Sequence, residues 1–474
     1  MSPRLPVDNP VPSVWTEPPH PLDEYQSTPK LPESCDVLIV GSGFAGVATA
    51  YHILEDKRTT PSVVLLDARK HASGATSRNG GHVKPDTYYN VSKYERIYGA
   101  LQAAELAKFE STGVYATKQL VETEGLDCDF HLTRAVDVYM DPQHATETAA
   151  AYKRLLKRGQ VDMADVEYTS KKTAERISGV KGAQCCFSFT AAQLSPRKMV
   201  LQLLSKLLER AALQAYSHTP VIRVSPRRDA EGHWTATTQR GSIKARKIIF
   251  CTNGYTASVL PQYVNKIVPV RGVCSHITTP KGTSSPHLAN TYSLRFGGAN
   301  YDYLIPRPDG SIVVGGARQT FLHDKESWYD SVKDDENALR ASERYFHGYM
   351  QRHFRGWEDS GAIPDRVWTG IMGYTSDLMP HIGEVPGAPS QYIIAGFSGH
   401  GMPQILLASK GLVAMVTKNL TYEQTGLPIM FKTTNERLSS CYSELEEGFK
   451  DVWASNISDK SSQAVGHRQS QARL

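Results

Sequence analysis

The feature that most constrains this 474-residue chain is a short run near its start. Cys35-Asp36-Val37-Leu38-Ile39-Val40 is followed at once by Gly41-Ser42-Gly43-Phe44-Ala45-Gly46. The apolar run reads as a fully buried parallel strand, and Val47 to Leu54 continues as a helix. In such a unit the first glycine makes the tight turn and the second lets the backbone approach a pyrophosphate. The third lets the helix pack closely on the strand. The helix N-terminus offers N–H donors and the positive end of its dipole to the phosphates. Ser62 to Leu66 gives a second strand closed by Asp67, where an acidic side chain takes hydrogen bonds from the ribose hydroxyls of an adenosine. The pattern predicts a dinucleotide site on Gly41, Ser42, Gly43, Phe44, Ala45, Gly46 and Asp67.

Composition limits what surrounds that unit. At 52.4 kDa the chain exceeds one typical core, so two or more lobes are expected. With 40% hydrophobic and 21% charged residues, it is no coiled coil, collagen-like fibre or disordered polymer. The 53 basic and 48 acidic residues leave +5, spread without a Lys/Arg block, so no nucleic-acid partner is expected. The cysteines, Cys35, Cys128, Cys185, Cys186, Cys251, Cys274 and Cys441, are odd in number and form no CxxC. A disulfide framework or a metal site is therefore not expected. Residues 1–12 are Pro-rich without an apolar core, and the run from Val37 to Leu54 is broken by glycines, so neither a secretory signal nor a membrane span is read.

Between a Pro-rich arm and a polar tail, strand-like runs alternate with helical patterns, the sign of an α/β fold with mixed α+β character. Helices are predicted over Ala100–Glu124, Met199–Ala215 and Ile405–Val416, with strands over Lys244–Cys251 and Tyr392–Ala395. Further motifs are Ser73-Gly74-Ala75-Thr76-Ser77-Arg78-Asn79-Gly80-Gly81-His82, Ala192-Gln193-Leu194-Ser195-Pro196 and Cys251-Thr252-Asn253-Gly254. The last is Gly396-Phe397-Ser398-Gly399-His400-Gly401-Met402, which is not a nucleophile elbow because His400 stands where that turn needs glycine.

Taken together, these motifs and Asp67-Ala68-Arg69 resemble the FAD-dependent amine and amino-acid oxidases of the D-amino-acid-oxidase superfamily. The resemblance runs from Cys35 to Val416, and the GATSRNGGH form is most similar to the γ-glutamylputrescine oxidase and sarcosine oxidase branch. It implies a Rossmann-like FAD-binding domain from residues 33–90, 191–268 and 365–430. This is interleaved with a sheet-based substrate domain from 91–190 and 269–364, after an arm at 1–32 and before an extension at 431–474. It places Ala68, Arg69, Ser73, Gly74, Ala75, Thr76, Arg78, Asn79, Gly80, Gly81, Val221, Thr252, Asn253, Gly254, Gly396, Phe397, Ser398, Gly399, Gly401 and Met402 on the cofactor. The implied chemistry is oxidation of a primary or secondary amine to an imine, with hydride passing to flavin N5 and reoxidation by O2 to H2O2. His400 and His82 are the titratable candidates beside the flavin, since histidine changes charge near neutral pH.

Departures from the family pattern bear on the substrate. Met372, in Gly370-Ile371-Met372-Gly373-Tyr374-Thr375, stands where glycine and D-amino-acid oxidases have a carboxylate-clamping arginine, and Pro403 where sarcosine oxidase has a lysine. A carboxylate left unpaired is costly, so small free amino acids are expected to be poor substrates. Lys84 matches a second anionic anchor or is a solvated surface lysine, and Tyr303, Tyr374, Tyr301 and Trp328 are candidates for lining an amine site. Neither covalent attachment residue is present (Met372 and Arg78 stand there), so noncovalent FAD is expected. The strand Ser311 to Gly316 lacks the oxygen-activating lysine, which leaves open a dehydrogenase using another acceptor. A sarcosine- or glycine-type oxidase and a non-catalytic relative of the fold are further alternatives. The terminal Ala472-Arg473-Leu474 resembles a peroxisomal signal, so a peroxisomal import receptor is an expected partner. The alternative location is the cytoplasm.

Overall fold

The computed structural model describes residues 5–55, 61–209, 212–283, 286–333 and 336–450. Ala472-Arg473-Leu474 lies outside them. The chain forms an eight-stranded and a nine-stranded sheet. In the first, Ser34–Val40 lies between Gly241–Phe250 and Val63–Leu66, all parallel. Leu213–Tyr216 and Gln391–Ala395 extend it in parallel, and His381–Glu384 closes one edge antiparallel. A hairpin of Val221–Val224 and Trp234–Thr238 pairs with the first half of Gly241–Phe250.

Both faces of this sheet are covered, as a run of consecutive apolar residues requires. Val37, Ile39, Val63 and Leu65 pack on one side under Val47, Ile53, Leu203 and Leu412, from the helices Phe44–Glu55, Pro196–Leu208 and Ile405–Lys418. Leu38, Val40, Val64 and Leu66 face Trp234, Ile243 and Tyr263 on the other.

The second sheet runs in the spatial order Ile363–Thr375, Ile267–Thr278, Ile312–Gly316, Asn300–Pro306, Thr291–Gly297, His131–Tyr139, Cys185–Gln193 and His82–Val83, with Glu167–Ser170 beside Cys185–Gln193. Its pairs are antiparallel except His131–Tyr139 with Thr291–Gly297. Trp328, Trp357, Tyr349 and Leu294 fill the core under it. The chain is thus an α/β protein with a mixed lobe, as the sequence predicts.

Several local expectations change. The helix predicted over Met199–Ala215 ends at Leu208, because Leu213–Tyr216 finds a parallel partner in Val63–Leu66 and buries Leu213, Ala215 and Tyr216. The segments 33–90, 191–268 and 365–430 each lend residues to the second sheet, through His82–Val83, the end of Cys185–Gln193, the start of Ile267–Thr278 and most of Ile363–Thr375. The described part of the arm is docked at several points. Trp15 is buried, Arg197 and Asp23 form a buried ion pair, and Gln26 bridges to Tyr216. Beyond residue 431, Leu445 and Phe449 are buried in the core of the second lobe, so this part of the extension is not polar. All seven cysteines are free. Among the described residues no helix is long and apolar enough to cross a membrane.

Candidate active site

A cavity of ≈ 450 Å³ runs from the first turn of the chain to the second sheet, with walls from both lobes. At its near end the glycine turn has the geometry its sequence requires. Gly41 has φ +104°, and a Cβ on Gly46 would lie 1.8 Å from the Gly41 carbonyl oxygen. Thr76 accepts the Phe44 N–H at 2.9 Å, joining this turn to the Ser73–His82 loop. Asp67 is more engaged than expected: its Oδ2 accepts from the Ser42 N–H at 2.8 Å and the Ser42 hydroxyl at 2.6 Å, and its Oδ1 from the Arg69 N–H at 3.0 Å. It still lines the cavity, with Gly41, Gly43, Phe44, Ala45, Ala68, Arg69 and Val221. Ser42 and Gly46 do not.

The arm straps the next stretch. Arg78 donates to the Val11 carbonyl at 2.7 Å and to Thr369, the Ser13 hydroxyl reaches the Ser77 carbonyl, and the Trp15 indole donates to the Asn79 carbonyl at 2.7 Å. Gly74, Ala75, Thr76, Arg78, Asn79 and Gly80 line the cavity; Ser73 and Gly81 do not. A Cβ on Gly80 would lie 2.3 Å from the Tyr303 ring and one on Gly315 2.2 Å from it. Two glycines therefore make the slot in which Tyr303 stands against the cavity wall.

Three distant motifs meet at the far end. Asn253 Oδ1 accepts the Gly396 N–H at 3.1 Å, and a Cβ on Gly254 would sit 2.8 Å from the Met372 carbonyl oxygen. Gly396, Ser398 and Gly399 all have positive φ, which shapes the turn so that Phe397, Gly399, His400, Gly401 and Met402 line the cavity beside Thr252, Asn253, Met372 and Tyr374. Gly254, Gly396 and Ser398 lie behind them.

The titratable candidates separate. His82 hydrogen-bonds Thr291 at 2.6 Å; burial and then the Lys84 charge push its imidazole down to about 3, so it is neutral. His400 faces the other way electrostatically. Burial alone would depress it, but the Glu110 carboxylate, 2.7 Å from Nε2, lifts it above its ordinary value. His400, paired with a buried acid, thus favours its protonated form more than a free imidazole does.

Lys84 is neither a surface lysine nor an unpaired anchor. Its ammonium lies 2.6 Å from Asp137 and 3.3 Å from the Ser293 hydroxyl. Asp137 also holds Arg295 at 3.2 Å and the Tyr88 hydroxyl at 2.9 Å. Burial would raise the Asp137 carboxyl, but Lys84 and Arg295 hold it well below the usual range.

Sequence reasoning missed Arg318 and Glu110. Arg318 follows the Ile312–Gly316 strand, and its guanidinium stacks 4.2 Å from the Tyr301 ring centre. It donates to the Tyr301 hydroxyl at 2.9 Å and the Tyr374 hydroxyl at 3.5 Å. All three side chains line the cavity. No local motif marks this arginine. Glu110 did leave a signal, as the one acidic residue in the buried stripe of the Ala100–Glu124 helix. Met372 and Pro403 line the cavity without supplying a cation, but Arg318 brings one from the turn after the Ile312–Gly316 strand. The two missing family anchors therefore do not leave the cavity without a cation. Among the described residues, Asp229, Glu231 and His233 are grouped closely enough to hold a metal ion, and none of the three lines the cavity.

The family model for DAO, the FAD dependent oxidoreductases, matches residues 36–415. The gamma-glutamylputrescine oxidoreductase of Escherichia coli (strain K12) is 22% identical over 386 residues, 80% of this chain and 82% of that protein. The glycine oxidase of Pseudomonas aeruginosa is 23% identical over 372 residues, 77% of this chain and 90% of its own length. In solved structures, glycine oxidase from Geobacillus kaustophilus superposes with a TM-score of 0.65 at 18% identity, covering 85% of this chain and 99% of the other.

Proposed function

The chain belongs to the DAO family of FAD-dependent oxidoreductases, and from that premise we propose that it oxidises the C–N bond of an amine substrate that carries a carboxylate. The residues at the cavity fit FAD. The turn at Gly41–Gly46 cradles a pyrophosphate at a helix N-terminus. Asp67, with Ala68, Arg69 and Val221, would hold the adenosine end, and the glycine-bearing loop Gly74–Gly80 and Met402 would hold the rest of the cofactor. FAD, when bound, supplies a two-electron acceptor for the bond between carbon and hydrogen beside the nitrogen. Everything else is the work of side chains. Tyr303, Tyr374 and Met372 shape a slot for the amine, and the neutral His82, held from behind by the Thr291 hydroxyl, forms part of its wall, so that the amine is held in line. An amine that enters unprotonated needs no strong side-chain base. Binding is noncovalent, since Met372 and Arg78 stand at the attachment positions.

Arg318 carries the substrate reading. A guanidinium held by two tyrosine hydroxyls and the Ala299 carbonyl, with no carboxylate among its hydrogen-bond partners within the described residues, suits a substrate carboxylate in its planar fork. Two substrate types meet that demand: an amino or imino acid, and a longer amine with a distant carboxylate, as in γ-glutamylputrescine. The second joins an amine at the cofactor to an anion at Arg318 and is the leading reading; the first is favoured by the same arginine. O2 is the proposed acceptor, with another acceptor as the alternative because the Ile312–Gly316 strand bears no lysine. A peroxisomal address at Ala472-Arg473-Leu474, with the cytoplasm as alternative, rests on sequence alone; the relatives named above are bacterial and lend it no support.

The experiment is anaerobic bleaching of the flavin by matched amines with and without a carboxylate. Bleaching by the carboxylate-bearing member of each pair supports the proposal, and equal bleaching by both removes Arg318 from it. Peroxide formed per substrate consumed then decides the acceptor.

A further inference from the structure

The Ala100–Glu124 helix turns one stripe inward: Ala103, Leu106, Ala107, Glu110, Gly113 and Val114, continuing to Val121. Only Glu110 in it is charged. Burying a carboxylate is costly unless it is paired and hydrogen-bonded, and each oxygen of Glu110 is engaged. Oε2 accepts from His400 Nε2 at 2.7 Å and from the Asp86 N–H at 2.6 Å, and Oε1 accepts from Gln404 Nε2 at 2.7 Å. One turn later, a Cβ on Gly113 would lie 1.8 Å from the Pro403 carbonyl oxygen. The helix is therefore seated on residues 400–404 twice, once by a glycine contact and once by a carboxylate.

The two partners of the ion pair have unequal surroundings. The Glu110 side chain is 2% exposed and that of His400 39%, with His400 lining the cavity. The pair is neutral as a whole but turns its positive end toward the cavity. Of the other groups facing His400, Asp86 favours the imidazolium, Lys84 opposes it, and His82 is neutral. A dinucleotide that places its pyrophosphate at Gly41–Gly46 and its adenosine at Asp67 must lay its reducible ring toward the other end of the cavity, where His400 stands.

We propose that Glu110 is a positioning residue for the reaction: it fixes the ring of His400 and keeps it an imidazolium, so that a constant positive charge meets the negative charge the cofactor gains on reduction. The inference rests on the flavoenzyme reading but not on any substrate. Loss of the carboxylate in Glu110→Gln lets His400 titrate. Above its titration the cavity loses the positive end of the pair; below it, His400 is charged with no carboxylate behind it.

The test is a potentiometric titration of bound FAD in the full-length protein, without substrate, from pH 5.5 to 8.5. An NMR titration of the His400 ring, assigned with His400→Asn, accompanies it in the FAD-free protein. Wild type is expected to hold His400 protonated to a higher pH than Glu110→Gln does. Glu110→Gln is expected to lose about fivefold in preference for reduced over oxidised cofactor at pH 8.5, about 20 mV for a two-electron couple, and to exceed wild type at pH 5.5. Glu110→Asp, which keeps the charge, is expected to track wild type. A Glu110→Gln offset of equal size at every pH, or none, overturns the proposal as a merely structural role. A wild-type His400 that titrates below pH 7 overturns it even if the variants fail to fold. Failure of the protein to take up FAD would instead strike the flavoenzyme reading, leaving the NMR titration to decide the pair.

Discussion

Replacing Lys84 with methionine removes the nearer of two cations holding Asp137. The ammonium lies 2.6 Å from the carboxylate, and the two side chains are 16% and 1% exposed, so solvent does not screen the pair as it does a surface ion pair worth about 0–1 kcal/mol. Stranding a buried carboxylate costs about 3–5 kcal/mol. Arg295 and Tyr88 remain on Asp137, so the loss belongs at the lower end, about 3 kcal/mol. Lys84→Met/Asp137→Asn removes the orphaned charge and is expected to recover about half of it. The sign with pH follows from the Asp137 carboxyl, which burial would raise but Lys84 and Arg295 hold well below the usual range. Such a group contributes stability present above its unfolded value of about 3.9 and lost as pH falls through its native one. The deficit of Lys84→Met is therefore full at pH 7, holds down to about 4, and narrows only as pH falls below that. Denaturant unfolding of the FAD-saturated protein at several pH values measures it. A loss below 1 kcal/mol at pH 7, or a raised KM with stability unchanged, would refute the buried-pair reading and make Lys84 a substrate anchor.

Other perturbations probe separate parts of the site. Gly46→Ala places a methyl 1.8 Å from the Gly41 carbonyl oxygen, and the purified variant is expected to lack the flavin absorbance of the wild type. Deleting residues 1–12 removes the Val11 partner of Arg78 and the Val7 partner of Arg69. At about 1.5 kcal/mol for one hydrogen bond to a charged group, the FAD dissociation constant should rise at least tenfold, followed by flavin fluorescence; an unchanged constant would show the strap to be decoration. Asp302, whose carboxyl burial pushes up to about 6 against bonds from Tyr345 and the Ala317 N–H, disfavours the fold once ionised. Stability from its neutral form is lost as pH rises from about 4 through 6. Asp302→Asn is therefore expected to stabilise by about 2 kcal/mol at pH 8 and little at pH 4, and a loss of stability at pH 8 would contradict that sign.

The cofactor half of the molecule was legible because its constraints are local. A tight turn, a close backbone approach and a buried strand each demand particular residues in adjacent positions, and Gly41, Gly46 and Leu38–Val40 meet them within a dozen residues. The meeting of Asn253, Met372 and Gly396 was visible only through family likeness, since those residues come together from distant segments. The substrate end was the least legible. Arg318 follows Ile312–Gly316, whose hairpin neighbour carries Tyr301, and meets Tyr374 across the intervening strand Ile267–Thr278; no local spacing encodes that second meeting. Lys84 read as a surface or anchoring lysine because its partner Asp137 sits on a strand in another segment. Leu213–Tyr216 was lost in a helix because its apolar residues suit either periodicity until a neighbouring strand decides.

The most direct test of the account is the rate of anaerobic flavin reduction in Arg318→Leu, compared with wild type, by one carboxylate-bearing amine and its decarboxylated counterpart. Losing a charge-assisted fork to a carboxylate costs about 3 kcal/mol, so reduction by the carboxylate-bearing amine at low concentration should slow by about a hundredfold, with the decarboxylated amine little affected. Equal slowing of both, or of neither, would contradict the claim that this cavity oxidises an amine held by its carboxylate at Arg318.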